Sequence, residues 1–234
     1  MKVLNCSGLI KSYKKNQFEL SIDDFSIGEN NTFALLGPNG SGKTTFLKLI
    51  MDLISLDRGE INILGKNSLN KLARVDLAYL PEKLPFPVDF TARQVLFYYT
   101  SIYRSDYKVI NEQIESLATS FKVDYLEQKI KSLSKGMKQT IGLISTFLDR
   151  KKLYILDEPF NGLDAVQKEI VLDYIQCIKK NSAIIITTHT TSDIEDIYDE
   201  AYLIKKGRFI DKKNKQEVDK VYNSLKEYYL NYFK

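Results

Sequence analysis

An α/β fold built around a mostly parallel sheet is the fold class that this sequence predicts. Residues 153–156 and 183–188 are short apolar runs rich in isoleucine, which is typical of strands buried on both faces. Between them, apolar residues recur at helical spacing, at Val166, Ile170, Tyr174 and Ile178. A strand, a helix and a strand in this order indicate two parallel strands joined by a right-handed crossover.

The bulk properties favour one domain, 1–234, with a real hydrophobic core. The chain has 234 residues and is 44% hydrophobic, and its net charge of +4 comes from interleaved rather than clustered charges. A charge this mild does not predict nucleic-acid binding, so no nucleic-acid partner is expected. Cys6 and Cys177 lie far apart without metal-ligand spacing and indicate reduced, buried thiols in a cytosolic protein.

The pattern predicts no element that enters a membrane. No apolar run approaches the roughly 18 residues that a spanning helix needs, and the first residues lack the apolar region of a signal peptide. We therefore expect a soluble chain whose role at a membrane, if it has one, depends on a partner.

Local patterns place further elements before the two apolar runs. Alternation up to about residue 27 predicts strands, and residues 32–36 form a short apolar strand. Apolar spacing over 43–54 predicts a helix, residues 59–64 a strand, and 65–67 a turn.

Helices dominate the predictions for the middle and the end of the chain. Three prolines at positions 81, 85 and 87 indicate a loop, and Thr91 is the expected N-cap of a helix running to about Tyr103. Helical patterns continue over 110–121 and after Ser134, so about 88–148 is predicted to be a helical insert. A final amphipathic helix is predicted over about 216–234.

A glycine-rich loop follows the strand 32–36 and precedes the helix that begins at Lys43. Residues 37–44 match G-x-x-x-x-G-K-[ST] at every fixed position. Glycines let backbone N–H groups converge on phosphate oxygens, Lys43 supplies a charge for the β- and γ-phosphates, and Thr44 offers a hydroxyl to Mg²⁺. The alternative is a glycine-rich turn that happens to precede a lysine. The predicted nucleotide-binding residues of this loop are Gly37, Asn39, Gly40, Ser41, Gly42, Lys43, Thr44 and Thr45.

Two acids end the apolar run 153–156. The carboxyl ends of strands are where open α/β sheets gather ligands. Asp157 is therefore predicted to hold Mg²⁺, and Glu158 to polarise the attacking water as a general base. Taken alone, the pair could equally be a solvated loop.

Residues 133–139, Leu-Ser-Lys-Gly-Met-Lys-Gln, look like the signature of ATP-binding-cassette (ABC) proteins, which is usually written L-S-G-G-Q. Residues 79–82 match the Q-loop, 161–164 the D-loop and 187–189 the switch-histidine motif, while Tyr13 matches the aromatic that stacks on adenine.

The resemblance implies a P-loop NTPase with a RecA-like, mostly parallel core, an N-terminal antiparallel β subdomain and an inserted helical subdomain. ATP and Mg²⁺ are the implied ligands. His189 would bond the γ-phosphate and the attacking water, and Glu82 would offer an oxygen to Mg²⁺ or to the water. The implied catalytic residues are Glu158, His189 and Glu82, and the implied metal ligands are Thr44, Asp157 and Glu82.

The resemblance also implies a second ATPase subunit, either the same chain or a related one. Ser134 and Gly136 of one subunit would close over the ATP held by the other, and Asp164 would make contacts across the dimer. The sequence departs from the family pattern at Lys135, where glycine is usual, and at Met137 and Glu82, where glutamine is usual.

Some of these residues have plainer interpretations. Tyr13 is one of 15 tyrosines, and Asp164 could simply cap a helix that begins at Ala165. His189 is the only histidine, and a lone histidine is more often a surface or core residue. The aromatics Phe86, Phe90, Tyr98 and Tyr99 either pack a core or form a docking surface.

Function is predicted from the same resemblance. The expected role is an ATP-hydrolysing subunit at the inner face of the cell membrane, cytoplasmic and peripheral, which powers a membrane-spanning permease subunit. Export of a peptide, an antibiotic or a lipid is favoured over import of a nutrient, because of Glu82 and the short chain. The alternatives are an ABC ATPase acting on DNA or the ribosome, and a small-molecule kinase, which would not explain the signature.

Overall fold

The computed structural model describes residues 2–13, 18–102 and 106–234. The chain divides into two compact units. The first unit contains residues 1–78, 151–157 and 178–234, and the second contains residues 79–150 and 158–177.

An antiparallel sheet of four strands forms one part of the first unit. Its spatial order is β2-β1-β4-β5. The strands β4 and β5 are joined by a two-residue turn, Leu64 and Gly65, with positive φ angles of 50° and 76°, as in the turns that match strand twist. Lys66 therefore pairs with Ile63. The predicted turn over 65–67 is wrong at two of its three positions, because the turn occupies 64–65 while Lys66 and Asn67 form a strand. The four strands are β1 (Lys2–Tyr13), β2 (Phe18–Gly28), β4 (Arg58–Ile63) and β5 (Lys66–Asn67).

A six-stranded, mostly parallel sheet confirms the predicted fold class. Its spatial order is β10-β9-β3-β8-β7-β6, and the strands from β9 to β7 run parallel while β10 is antiparallel to β9. Every residue of β3, β7 and β8 is buried, as the continuous apolar runs predict. The strands are β3 (Thr32–Leu36), β6 (Leu77–Leu80), β7 (Leu153–Asp157), β8 (Ala183–Thr187), β9 (Glu200–Lys205) and β10 (Arg208–Asn214).

Helix α1 (Lys43–Ile50) follows β3 and ends four residues before the predicted position 54. Asp52 has a left-handed backbone with a φ of 56°. The N–H groups of Asp52 and Leu53 donate to the carbonyls of Leu49 (3.0 Å) and Lys48 (2.9 Å). This is the Schellman arrangement, which satisfies the last carbonyls of a helix and stops it although the apolar spacing continues.

Four helices form most of the second unit. Thr91 is the N-cap of α2, as predicted: its hydroxyl oxygen accepts from the N–H of Gln94 (3.2 Å), and the Gln94 side chain accepts from the N–H of Thr91 (2.8 Å). Helix α2 ends at Ser101, and the predicted end at Tyr103 lies outside the described residues. The helices are α2 (Ala92–Ser101), α3 (Tyr107–Ser120), α4 (Lys135–Phe147) and α5 (Ala165–Lys179), whose last two residues belong to the first unit. Cys177 in α5 is exposed, so the prediction of buried thiols is wrong for this cysteine and is confirmed for Cys6.

The single C-terminal helix predicted over about 216–234 is wrong: two helices occupy this segment, α6 (Lys215–Tyr222) and α7 (Leu225–Phe233). Asn223 between them has a φ of 60°, which ends the first helix, and Ser224 caps the second by accepting from the N–H of Glu227 (3.1 Å). The apolar spacing runs through both helices, so it does not mark the break. No helix in the described part of the chain is both long and apolar enough to cross a bilayer.

The turn between β9 and β10 is hydrogen-bonded both to strand β2 and to the loop after β3. Gly207 in this turn donates its N–H to the carbonyl of Ser41 (2.8 Å) and accepts from the N–H of Ser21 (2.8 Å). Its φ is +77°, and a Cβ at this position would lie 2.0 Å from the carbonyl oxygen of Glu19. Only glycine fits there without moving backbone.

We expect Gly207→Ala to lower the free energy of unfolding by about 3 kcal/mol. The left-handed backbone accounts for roughly 1–2 kcal/mol of this and the displaced β2 backbone for the remainder. Gly65→Ala is the matched control, because Gly65 has a φ of +76° and a Cβ added to it would meet no atom within 4 Å. Urea unfolding of both variants would measure the difference, and equal losses would contradict the importance of this close approach.

Candidate nucleotide site

The glycine-rich loop lies between β3 and α1 in the first unit. The N–H of Ser41 donates to the carbonyl of Pro38 (3.1 Å), which closes the turn, and Gly42 has a φ of 112° immediately before α1 begins. A Cβ on Gly42 would lie 3.1 Å from the Phe18 ring and 3.2 Å from Leu20, so β2 packs directly behind the loop. The loop therefore joins a buried strand to a helix N-terminus, which is the setting that a phosphate cradle requires.

The loop is buried at both ends and exposed at its tip. Gly37, Ser41, Gly42 and Lys43 are buried, Thr44 and Thr45 are half-buried, and Asn39 and Gly40 are exposed. The first N–H groups of an α-helix receive no hydrogen bond acceptor from an earlier helical turn and point out of its N-terminus. Anionic groups are stabilised at such an end.

The Lys43 ammonium folds back into the loop. Its Nζ donates to the carbonyls of Gly37 (2.6 Å) and Pro38 (3.3 Å), and the residue is only 9% exposed. The carbonyls compensate for the burial of the charge, because an unpaired ammonium would be costly to desolvate.

The hydroxyl of Ser41 indicates whether the loop could accommodate a phosphate group. Its hydroxyl oxygen is buried and has no hydrogen-bond partner within the described residues. An unsatisfied buried hydroxyl costs free energy, and a phosphate oxygen at the loop would accept a hydrogen bond from it. The residues of the loop therefore fit a phosphate group.

The carboxyl ends of β3, β8 and β7 lie side by side next to this loop. Leu35 pairs with Thr187, and Thr187 pairs with Asp157. The loop starts at Gly37, two residues beyond this row. Parallel strands thus bring the loop, Asp157 and the residues after β8 to one edge of the sheet, where ligands bind in open α/β sheets.

Asp157 is the last residue of β7 and is buried, with 2% exposure. One of its carboxylate oxygens, Oδ1, accepts a short hydrogen bond from the hydroxyl of Thr187. This bond fixes the orientation of the carboxylate. From the sequence, Thr187 was assigned only to the switch-histidine motif, and its bond to Asp157 was not predicted. The register of β7 and β8, which places the two residues opposite each other, would have indicated this bond.

Glu158 is half-buried and begins a tight turn in the second unit. Its φ is +53°, in the left-handed region that few residues with large side chains adopt. Its carbonyl accepts from the N–H of Asn161 (3.2 Å) and from the Gln139 side chain (3.2 Å). Unusual backbone of this kind is often found at functional sites, where surrounding contacts hold it.

His189 lies in the turn after β8, in the first unit, and is exposed. The turn before the short 3₁₀ segment Thr191–Asp193 is held locally, because the N–H of Thr190 donates to the hydroxyl of Thr188 (3.0 Å). The imidazole is therefore at the same edge of the sheet as the phosphate loop.

Tyr13 is the last described residue of β1 and is half-buried. Its ring centroid lies 6.4 Å from that of Phe18 and 5.9 Å from the Lys11 ammonium. Asp57 fixes this strand end by accepting from the Lys11 ammonium (2.8 Å) and the N–H of Ser12 (2.8 Å). The bond from Lys11 and then the bond from Ser12 lower the pKa of the Asp57 carboxyl. The sequence pattern did not reveal Asp57, because it lies 45 residues from Ser12.

Ser134 and Gly136 lie at the start of α4 in the second unit. Ser134 is the N-cap, and its hydroxyl oxygen accepts from the N–H of Met137 (3.2 Å). A Cβ on Gly136 would lie 2.5 Å from the carbonyl oxygen of Gly162. Position 136 therefore requires glycine, because the backbone of the segment after β7 lies too close to leave room for a side chain.

Asp164 caps α5, as one of the two interpretations predicted, because its Oδ1 accepts from the N–H of Gln167 (2.8 Å). The residue is also exposed, so capping leaves its second carboxylate oxygen accessible. Glu82 is exposed as well, in the irregular segment after β6.

The predicted site residues thus fall into two sets. The phosphate loop, Tyr13, Asp157 and His189 belong to the first unit, and Glu82, Ser134, Gly136, Glu158 and Asp164 belong to the second. Across residues 2–13, 18–102 and 106–234, no group of three or more His, Cys, Asp or Glu side chains is arranged to hold a metal ion.

Comparison with known proteins agrees with this architecture. Residues 20–161 match the ABC transporter family. The chain is 34% identical to the ABC transporter ATP-binding protein YxlF of Bacillus subtilis (strain 168) over 217 residues, which are 92% of this chain and 72% of YxlF. It is 28% identical to the Nod factor export ATP-binding protein I of Rhizobium leguminosarum bv. viciae, over 88% of this chain and 68% of that protein.

A solved structure of the ATP-binding subunit of an ABC transporter has the same fold. The two chains superpose with a TM-score of 0.89 at 28% sequence identity, over 99% of this chain and 100% of the other. This agreement confirms the predicted fold class along the length of the chain. The chain therefore belongs to the ABC transporter family, of which it is an ATP-binding protein and an ATP hydrolase.

Proposed function

We propose that the chain is the motor of a membrane transporter, in which ATP binding and hydrolysis drive a separate membrane-spanning subunit. The observation that carries this proposal is the row of strand ends in which Asp157 and Thr187 lie level with Leu35, two residues before the phosphate loop starts. The two units would act as subdomains of one cassette spanning 1–234, with the 88–148 segment inside the helical subdomain.

ATP binding would use the phosphate loop as a preformed receptor. The Lys43 ammonium would exchange carbonyl partners for β- and γ-phosphate oxygens, and the Ser41 hydroxyl would donate to another. The residues of the loop that would surround the phosphates are Gly37, Asn39, Gly40, Ser41, Gly42, Lys43, Thr44 and Thr45. Tyr13 would stack on the adenine, with its strand end held by Asp57.

Mg²⁺ would be held by the Thr44 hydroxyl and by Asp157, with Glu82 as a further oxygen donor. Magnesium commonly uses one or two protein ligands together with water and phosphate oxygens. When bound, it would neutralise charge on the phosphates. Thr187 would keep the Asp157 carboxylate turned towards the edge of the sheet.

Hydrolysis would use Glu158 as the general base that polarises the attacking water, and His189 as a hydrogen-bond partner of the γ-phosphate and that water. The left-handed backbone of Glu158 and the two bonds to its carbonyl support a fixed position for the carboxylate. Glu82 would assist through its oxygen.

A second ATPase subunit would complete each site. Ser134, Gly136 and the N-terminus of α4 would close over the γ-phosphate of the ATP in the other subunit. Asp164 would contact the other subunit with the oxygen that capping leaves exposed. The second subunit is either the same chain or a related one.

The membrane-spanning partner would dock on an aromatic cluster of the second unit, defined by Phe86, Phe90, Tyr98 and Tyr99. The rings lie 5.5–6.5 Å apart between centroids. Phe90 is 39% exposed and Tyr98 52% exposed, so these two side chains are not part of the core, and they favour docking over core packing. The chain would lie at the inner, cytoplasmic face of the membrane.

Export of a peptide, an antibiotic or a lipid is the favoured transport reaction. The similarity to a Nod factor export protein and the presence of Glu82 in the Q-loop support export. Import of a small nutrient is the second candidate. An action on nucleic acid or the ribosome is disfavoured, because the charges are interleaved and the sequence contains no basic stripe.

Replacing Lys43 tests the phosphate loop. We expect Lys43→Ala to raise the dissociation constant for ATP by roughly tenfold to a hundredfold, as loss of a charge-assisted hydrogen bond implies. Lys48→Ala, which removes an exposed charge from the same helix, should leave binding unchanged. Isothermal titration calorimetry measures both, and equal affinities for the two variants would remove the loop from the site.

Replacing Glu158 tests the general base and the dimer together. We expect Glu158→Gln to accumulate as an ATP-bound dimer, because closure persists when the water is not activated. Light scattering after size exclusion with Mg-ATP would detect it. Glu169→Gln, at an exposed position of α5, is the control for lost charge and should behave as wild type. A monomeric Glu158→Gln variant with full hydrolysis would show that another residue is the base.

Purification from detergent-solubilised membranes tests the transport role. We expect a polypeptide with several spanning helices to copurify with the tagged wild-type chain and with Tyr107→Ser, in which an exposed aromatic outside the cluster is removed. The Phe90→Ser, Tyr98→Ser double variant should lose this partner while keeping ATP binding. Copurification of ribosomes or DNA in its place would favour the rival class.

A further inference from the structure

Lys135 makes a contact that the usual glycine at this signature position could not make. Its Nζ donates to the side-chain oxygen of Asn161 at 2.6 Å. Its aliphatic carbons lie over Gly162, at 3.1, 3.2 and 3.5 Å from the position that a Cβ on that glycine would take. Lys135 therefore joins the first turn of α4 to the segment after β7 by a hydrogen bond and by packing.

Two further contacts join the same helix to the same segment. The backbones of Gly136 and Gly162 approach so closely that a Cβ on Gly136 would lie 2.5 Å from the Gly162 carbonyl oxygen. One turn later, the side-chain nitrogen of Gln139 donates to the carbonyls of Glu158 (3.2 Å) and Pro159 (3.0 Å). Helix α4 thus holds residues 158–162 at both ends.

The segment has little regular structure of its own to fix its path. Two backbone bonds support it, both at the long end of the usual range: the N–H of Asn161 donates to the Glu158 carbonyl (3.2 Å), and the N–H of Leu163, just after the segment, donates to the Phe160 carbonyl (3.2 Å). Glu158 and Gly162 both have positive φ angles, 53° and 82°. Glycine adopts a positive φ readily, but at Glu158 this backbone keeps its conformation only where neighbouring groups hold it.

We infer that Lys135 is a positioning residue: through Asn161 it fixes the turn that carries Glu158, so that the conformation of this turn depends on α4. The inference rests on the proposed role of Glu158 as general base. It also gives α4 two tasks, because Ser134 at its N-terminus would serve the site in the other subunit while Lys135 and Gln139 support the Glu158 of their own subunit.

The alternative for an exposed lysine beside Ser134 is a direct contact with the nucleotide of the other subunit. The two roles differ in kinetics. A nucleotide contact affects the KM for ATP, whereas loss of positioning lowers kcat at unchanged KM. The two roles also differ in how the effects of substituting Lys135 and Asn161 combine. A positioning role acts through Asn161, so the two effects should not multiply, whereas a nucleotide contact made by Lys135 does not involve Asn161.

The test is a double-mutant cycle on the full chain. Lys135→Met keeps the aliphatic packing on Gly162 and removes the donor, and Asn161→Ala removes the acceptor. Each is expected to lower kcat roughly threefold to tenfold with KM changed less than twofold, and the double variant to be no slower than the slower single variant. Lys135→Arg, which keeps a donor, should restore at least half of the wild-type kcat.

Lys129→Met is the matched control, because it removes an exposed lysine from the same unit. It should leave kcat and KM unchanged. Multiplying effects of Lys135→Met and Asn161→Ala would overturn the inference, as would a rise in KM with Lys135→Met alone.

Hydrogen exchange separates this inference from the proposed function. In Lys135→Met, the amides of Asn161 and Leu163 should exchange at least tenfold faster than in the wild type, while the amides of β7 are unaffected. Unchanged exchange at these two amides would overturn the positioning role even if hydrolysis falls. If Glu158→Gln hydrolyses Mg-ATP as fast as the wild type, the proposed role of Glu158 fails, and the exchange result still decides whether Lys135 holds the turn.

Discussion

The parallel pairing of β3, β8 and β7 is the constraint on which the rest of the structure depends. All three strands are buried along their length, so their interior positions hold apolar side chains, apart from Thr32 at the start of β3 and the residues at the strand ends. The polar residues that could act on a ligand are placed where the strands stop. Because the strands run in the same direction, those ends meet at one edge, and the register sets which residues stand level there.

Close backbone contacts at glycines are a second constraint, and they occur in both units. Around the phosphate loop, β2 and the β9–β10 turn approach so closely that side-chain carbons at Gly42 and Gly207 would meet other residues. In the second unit, Gly136 lies against Gly162 in the same manner. The loops of the candidate site are thus held by packing as much as by hydrogen bonds, which limits the conformations open to them before any ligand is bound.

The sequence predicted the buried core of the fold well, because continuous apolar runs and a complete phosphate-loop motif are strong local signals. It did not predict β6, β9 or β10, of which β6 has four residues and β10 lies at the sheet edge with alternate residues exposed. The end of α1 and the break between α6 and α7 were also missed. Both depend on a left-handed residue, Asp52 or Asn223, that periodicity does not reveal.

In the candidate site too, residues of contiguous motifs were predictable, whereas contacts between residues distant in sequence were not. Residues that belong to contiguous motifs could be named from the sequence, including the cap formed by Asp164. Thr187 as a partner of Asp157, Asp57 as a support for the Tyr13 strand end, and Asn161 as a partner of Lys135 could not. Each of these pairs is brought together by tertiary structure from positions 26 to 45 residues apart.

The way in which Lys43 is accommodated has a consequence for the energetics of nucleotide binding. Its ammonium is taken out of water when the chain folds, and two carbonyl dipoles offset that cost before a nucleotide arrives. An incoming phosphate therefore meets a cation that needs little further dehydration and little side-chain ordering. Since mobile ions screen such a sheltered charge weakly, the attraction should persist at ionic strengths that abolish binding to surface lysines.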